Sequence, residues 1–318
     1  MRSSTNTGQP RLSILEMIES APGELAFSIV GGDVGLSRRF VTSERIQKLG
    51  LALAGFPDYV HSGRIQILGQ SELSYLKKLT AEETSLAFSK LNADAICCIL
   101  LTKGAPAPAQ LESFVNKHNI PLLSTPLVSS RAIRLVTTFL EEALAPEITL
   151  HGVLLEMYGT GVMLLGNSGV GKSECALDLI SRGHRLVSDD SVTIKRIGGR
   201  LVGAAPDLTK EHLEIRGLGV INIRELFGIS ALADKVQIEL AIELSDWRET
   251  ENIERLGLEV RNEEIFGISI GKFSLPVTAA RNLAILVETA VRIYLSRRSG
   301  HDAARDLIER HSAMIATR

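Results

Sequence analysis

Eight consecutive residues, GNSGVGKS at 166–173, carry the clearest chemistry in the chain. Gly166, Asn167, Ser168, Gly169, Val170, Gly171, Lys172 and Ser173 match the pattern G-x-x-x-x-G-K-[ST]. Glycines let successive backbone N–H groups turn toward one point, and a helix starting there adds partial positive charge. Lys172 can neutralise the outer phosphates of a bound chain. The hydroxyl of Ser173 is the hard oxygen ligand that Mg²⁺ prefers. The segment reads as a cradle for a nucleoside triphosphate, or another polyphosphate, with Mg²⁺.

Phosphoryl transfer from such a cradle usually needs a second acidic element on a neighbouring strand. The string RLVSDDSVTIKRI supplies Asp189 and Asp190 at the end of a short strand. Two adjacent carboxylates suit a metal's surroundings and a general base, and the same pair also reads as a turn signal. Further on, HLEIRGLGVINIRELFG sets Glu214 and Arg216 beside Gly217 and Gly219 in an apolar, β-branched frame. These two side chains can serve Mg²⁺ and a phosphoryl oxygen, or form a surface ion pair at a bulge. His151 opens HGVLLEMYGTGVML, a hairpin-like string turning at 158–161 that leads into the cradle.

The elements that must hold these residues follow from periodicity. GVMLL before the cradle is a β-rich apolar run, and SECALDLISRG after it is a helix ending at Gly183. Earlier, RIQILG and AICCILL read as strands, QSELSYLKKLTAEETSLAFSKLN and AQLESFVNKHN as helices, and IPLLST as a strand. That alternation predicts an α/β fold with parallel pairing. A long amphipathic helix then begins near Ser129 or Ser130, either of which can cap it. The domain boundary is expected there, giving a small α/β domain over 1–130 and a P-loop kinase domain over 131–318. No catalytic constellation is visible in the first. Two helices, NLAILVETAVRIYLSRRSG and HDAARDLIERHSAMIATR, close the chain.

Composition excludes several classes. At 318 residues the chain is long enough for two domains, and a net charge of −2 gives no drive toward nucleic acid or anionic membrane. No apolar run reaches the roughly 18 residues of a membrane helix. The polar start MRSSTNTGQP has no apolar stretch behind it, so a cytoplasmic protein is expected. The three cysteines, Cys97, Cys98 and Cys175, read as buried reduced thiols.

Taken together, LHGVLLEMYGTGVMLLGNSGVGKSECALDLISRGHRLVSDD, LEIRGLGVINIRELFG and IERLGLE resemble the HPr kinase/phosphorylase family. The resemblance implies an N-terminal α/β domain joined to a P-loop kinase domain similar to phosphoenolpyruvate carboxykinase, assembled as a homohexamer. It implies phosphorylation of a seryl residue of the phosphocarrier protein HPr from ATP or pyrophosphate. It also implies the reverse reaction, in which inorganic phosphate takes the phosphoryl group to give pyrophosphate. By resemblance His151, Lys172, Asp190 and Arg255 are catalytic, Asp190 taking and returning the seryl proton, and Ser173 and Glu214 hold Mg²⁺. The segment Leu213, Glu214, Ile215, Arg216, Gly217, Leu218, Gly219, Val220, Ile221 and Asn222 is expected to serve both directions. A loop tied to dephosphorylation commonly reads PVRPGRN in the family; here Pro276, Val277, Thr278, Ala279, Ala280 and Arg281 lead into Asn282. One arginine of that pattern is absent, which predicts weaker phosphate binding for the reverse reaction. The alternatives are a kinase without effective phosphorylase activity and a small-molecule kinase on the same scaffold.

Overall fold

The computed structural model describes residues 4–5, 10–246, 261–278 and 281–316. The chain forms two compact units, Thr7–Pro146 and Glu147–Arg318 with Met1–Asn6. The division therefore falls at 146/147 and not at 130/131. The reason lies in the amphipathic helix that starts at Ser129: its buried residues Ala132, Val136 and Leu140 pack with Ile67, Leu100 and Leu123 of the first unit.

The first unit is built on a five-stranded sheet of β1 (Ser28–Gly31), β2 (Gln47–Lys48), β3 (Gln66–Leu68), β4 (Ile99–Leu101) and β5 (Leu122–Ser124). Its order is β1-β5-β4-β3-β2; β1 is antiparallel to β5 and the other pairs are parallel. Helices α1 (Ile14–Ser20), α2 (Gln70–Leu76), α3 (Ala81–Ser89), α4 (Ala109–His118) and α5 (Ser129–Ala143) cover it. Successive residues of β4 point to opposite faces: Ile99 and Leu101 join the core with α2, α3 and α4, and Leu100 joins that with α1 and α5. Buried on both faces, β3 and β4 are unbroken apolar or buried runs, as parallel strands require.

Two local expectations change. The string QSELSYLKKLTAEETSLAFSKLN forms two helices: the first ends at Leu76 with Lys77 as its C-cap, and Thr80 caps the second. Its hydroxyl accepts the Glu83 N–H at 3.2 Å and its own N–H donates to Glu83 Oε2 at 2.8 Å. Neither Ser129 nor Ser130 caps α5: Val128 occupies the cap position without a side-chain bond, and Ser129 Oγ instead meets Thr102 Oγ1 at 2.8 Å.

The second unit is organised by a ten-stranded mixed sheet. Its strands include β6 (Glu147–His151), β7 (Val153–Met157), β8 (Thr160–Gly166), β9 (Arg185–Ser188), β10 (Ser191–Ile197) and β11 (Arg200–Ala204). After a separate hairpin, β12 (His212–Ile215) and β13 (Gly219–Asn222), come β14 (Lys235–Asp246), β15 (Arg261–Ile265) and β16 (Ile268–Val277). The long β14 joins the parts. Its start pairs antiparallel with β11; its later residues lie parallel to β8 on one side and β16 on the other. The expected β7–β8 hairpin is present, with Tyr158 and Gly159 at φ 52° and 77°, the left-handed pair of a two-residue turn. Helices α6 (Lys172–Ser181) and α7 (Leu283–Arg298) pack on one face, and α8 (Ala303–Ala316) follows. Among the described residues no helix is long and apolar enough to cross a membrane.

Thr80→Ala removes the side-chain acceptor that starts α3. Urea denaturation is expected to show a loss of about 1 kcal/mol, within the roughly 0.5–2 kcal/mol range for lost caps. A change near zero would mean that the helix break is set by packing alone.

Candidate active site

The phosphate cradle sits where β8 meets α6, as its sequence context predicts. Gly166 has φ 141°, and a Cβ there would lie 2.4 Å from the Leu244 carbonyl of β14, so only glycine lets the loop leave the strand. Gly171, at φ 98°, is the N-cap of α6. Lys172 is the first residue of that helix and is buried, its Nζ donating to the carbonyls of Gly166 at 2.9 Å and Asn167 at 3.0 Å. Burial lowers its pKa, opposed by the negative charges of Asp189, Asp190 and Glu174. An ammonium so placed, together with the helix N-terminus, makes the loop a receptor for anionic oxygens.

Asp189 ties this loop to the rest of the site. It follows β9 and is 5% exposed. Its Oδ1 accepts the Ser173 hydroxyl at 3.0 Å, and its Oδ2 accepts the Glu214 N–H at 3.1 Å. Desolvation raises its pKa, against the lowering effect of the Glu214 and Ser173 bonds. The β12–β13 hairpin is held from beneath by Leu213 and Ile215, buried in the core with α6, while Glu214 between them faces outward. Arg216 reaches the loop as well: a Cβ on Gly169, which has φ 81°, would lie 2.7 Å from both guanidinium Nη atoms. A second cation thus covers the cradle. Leu218 in the hairpin turn and Val220 opposite Glu214 are 74% and 66% exposed.

Asp190 differs from its neighbour in every respect that matters chemically. Its backbone is left-handed at φ 63°, its carbonyl accepts the Gly152 N–H at 3.1 Å, and its side chain is 72% exposed. Strand register brings His151 beside it: His151 pairs with Ser191, and His151 Nδ1 lies 3.0 Å from Asp190 Oδ1. An exposed pair of this kind contributes only about 0–1 kcal/mol to stability. Its geometry leaves one carboxylate oriented and open to an incoming hydroxyl.

The remaining expected residues fall at the same sheet edge or outside the description. The parallel strands β8, β14 and β16 end together, Gly166 beside Leu244 and Asp246 beside Val277. Pro276 and Val277 are the last residues of β16, and the Arg281 N–H donates to Thr278 O at 3.2 Å. Asn282, which sequence reasoning misses, caps α7 through Ile285 N–H at 3.0 Å and donates to Asp178 Oδ2 of the cradle helix at 3.4 Å. Its position as an Asn before an apolar helical run is the available signal. Arg255, Ala279 and Ala280 lie outside the described residues. In sequence Asp189 is only one member of a carboxylate pair; its burial, which separates the two roles, has no signature there.

Family models match both units: "HPr Serine kinase N terminus" over residues 12–140 and "HPr Serine kinase C-terminal domain" over 142–311. The chain belongs to the HPr serine kinase family. Similar relatives include the HPr kinase/phosphorylase of Geobacter sulfurreducens, 41% identical over 308 residues that cover 96% of each chain. That of Lactobacillus gasseri is 36% identical over 306 residues, 96% of this chain and 95% of its own. That of Shouchella clausii is 42% identical over 290 residues, 91% and 93%. A solved structure of the HPr(Ser) kinase/phosphatase from Coxiella burnetii is 33% identical and covers 50% of this chain and 97% of its own, with a TM-score of 0.47.

A pKa raised by burial means that ionised Asp189 costs stability at neutral pH. The sign follows: its contribution is favourable at pH values below its unfolded pKa and is lost as pH rises through the folded one. Asp189→Asn is therefore expected to raise the melting temperature of the ligand-free protein at pH 7, by roughly 2–4 °C for about 1 kcal/mol. The gain should shrink toward pH 4. A lower melting temperature at pH 7 would show that the two hydrogen bonds outweigh the desolvation.

Proposed function

We propose that this protein is a serine kinase and phosphorylase acting on HPr, with ATP or pyrophosphate as phosphoryl donor and inorganic phosphate as acceptor in reverse. The observation that carries the reading is the division of labour between adjacent carboxylates, Asp189 buried against Ser173 of the cradle and Asp190 exposed beside His151. Full-length similarity to proteins named HPr kinase/phosphorylase supports the same substrate and both directions. A small-molecule kinase is not favoured.

In the forward direction the lysine, the helix N-terminus and Arg216 hold the phosphates, and Asp190 accepts the seryl proton as the Oγ–P bond forms and the bond to the leaving group breaks, ADP from ATP or inorganic phosphate from pyrophosphate. In reverse, an oxygen of inorganic phosphate attacks the phosphoseryl phosphorus, and Asp190 returns the proton to the departing serine oxygen. His151 orients that carboxylate through Nδ1. Ser173 and Glu214 are the oxygen donors proposed for a hard divalent cation, with Asp189 accepting the Ser173 hydroxyl and the Glu214 N–H beside them. When bound, Mg²⁺ neutralises phosphate charge. Arg255 belongs to the proposal as a catalytic cation, and the homohexamer as its assembled state. Exposed Leu218, Val220, Leu226 and Ile229 support contact with another protein surface.

The test uses purified protein with HPr, Mg²⁺ and ATP, followed by excess inorganic phosphate and a pyrophosphate assay. Phosphoserine and then pyrophosphate are expected, the second step also reading whether Thr278 is tolerated in the 276–281 loop. Asp190→Asn should reduce transfer in both directions roughly 10²–10⁴-fold with ATP affinity kept. Undiminished transfer by that variant would remove Asp190 as the base; no phosphoserine from the parent protein would remove HPr as the acceptor.

A further inference from the structure

The first unit holds a cavity of about 640 Å³ that phosphoryl transfer does not use. It lies beyond the C-terminal ends of the adjacent parallel strands β3 and β4, between Gln70, which opens α2, and the 103–108 loop that leads into α4. In open α/β sheets that edge is where ligands bind. The volume falls in the range of small-molecule sites, about 300–1,000 Å³.

Its lining is amphipathic. Leu73, Leu76, Leu79 and Pro106 form the apolar wall, and the charged groups at its margin are Lys77 and Lys103. Among the described residues no carboxylate lines it. Neither lysine forms an ion pair with the described residues. Lys103 is held at φ 62° by its N–H bond to Leu127 O at 2.8 Å, an uncommon conformation for a non-glycine residue. The nearby buried carboxylate, Glu72, is engaged by the Gly69 N–H at 2.9 Å. Helix α4 begins at Pro108 with no side-chain cap, and Glu112 in its first turn offsets part of its positive end, so the two ammonium groups supply the site's charge.

From this cavity and its charge we infer a binding site for a small amphipathic anion, an apolar body carrying a carboxylate, sulfonate or phosphate group. The apolar wall takes the body, and Lys77 and Lys103 take the anionic oxygens. The site is separate from the phosphate cradle and does not depend on the proposed reaction.

Two dyes test it on the full-length protein: 1-anilinonaphthalene-8-sulfonate, and N-phenyl-1-naphthylamine, which is the same body without the sulfonate. Fluorescence titration of the parent protein should show one saturable site for the sulfonate, with affinity about tenfold above the neutral dye. Lys77→Gln/Lys103→Gln should abolish that preference. Gln110→Trp, which fills the rim, should weaken both dyes at least about fivefold. Kinase activity and circular dichroism report that the variants are folded. Binding unaffected by either variant, or no saturable binding, would overturn the site; loss in Gln110→Trp with the charge preference intact in the double variant would overturn the anionic ligand class.

Discussion

The active site depends on one buried carboxylate. Asp189 accepts a hydroxyl from the cradle helix through one oxygen and a backbone N–H from the β12–β13 hairpin through the other. Each bond to a charged acceptor is worth roughly 1.5–3 kcal/mol, and leaving a buried carboxylate without them costs at least as much. The two segments are therefore held in fixed relation by a group whose own burial is unfavourable. That tension is relieved when positive charge enters, because a cation near Asp189 offsets its desolvation. The same logic applies in mirror image to Lys172, whose ammonium is desolvated and satisfied by loop carbonyls. A polyphosphate with its cation brings the missing charge of each sign to a site built with both partly out of water.

Around that contact the sheet supplies alignment. Three parallel strands end at one edge, so the cradle after β8 and the loops after β14 and β16 leave from neighbouring points. The antiparallel neighbours act on the His151–Asp190 pair instead. The β6–β10 register sets His151 against Ser191, and the left-handed turn at Asp190 aims its carboxylate back at the imidazole. Asn282 then ties the loop after β16 to the cradle helix through Asp178.

Much of this is legible in the sequence, for reasons that differ by element. The cradle is readable because its glycines are required by backbone geometry: φ 141° at Gly166 and 98° at Gly171 leave few other choices. The α/β alternation is readable because buried parallel strands must be apolar throughout. The helix break at Thr80 is present as T-A-E-E but is masked by the long helical periodicity around it. The domain limit is misplaced because an amphipathic helix declares that it has a buried face, never which core receives it. The split between Asp189 and Asp190 is illegible for a deeper reason. Adjacent identical residues differ only through the backbone turn between them, and that turn depends on pairing with a strand distant along the chain.

That turn also suits the proton transfer proposed for Asp190 in both directions. A group that accepts a proton in one direction and returns it in the other must exchange with bulk solvent between turnovers, and the 72% exposure of Asp190 permits this. A group that positions phosphate and cation must not drift as charge moves, and the two hydrogen bonds of Asp189 restrain it. Interchanging the two environments would give a mobile anchor and a sealed base. Placing one carboxylate on each side of a single sharp turn separates the two roles while keeping both near the same lysine, whose charge responds to each of them.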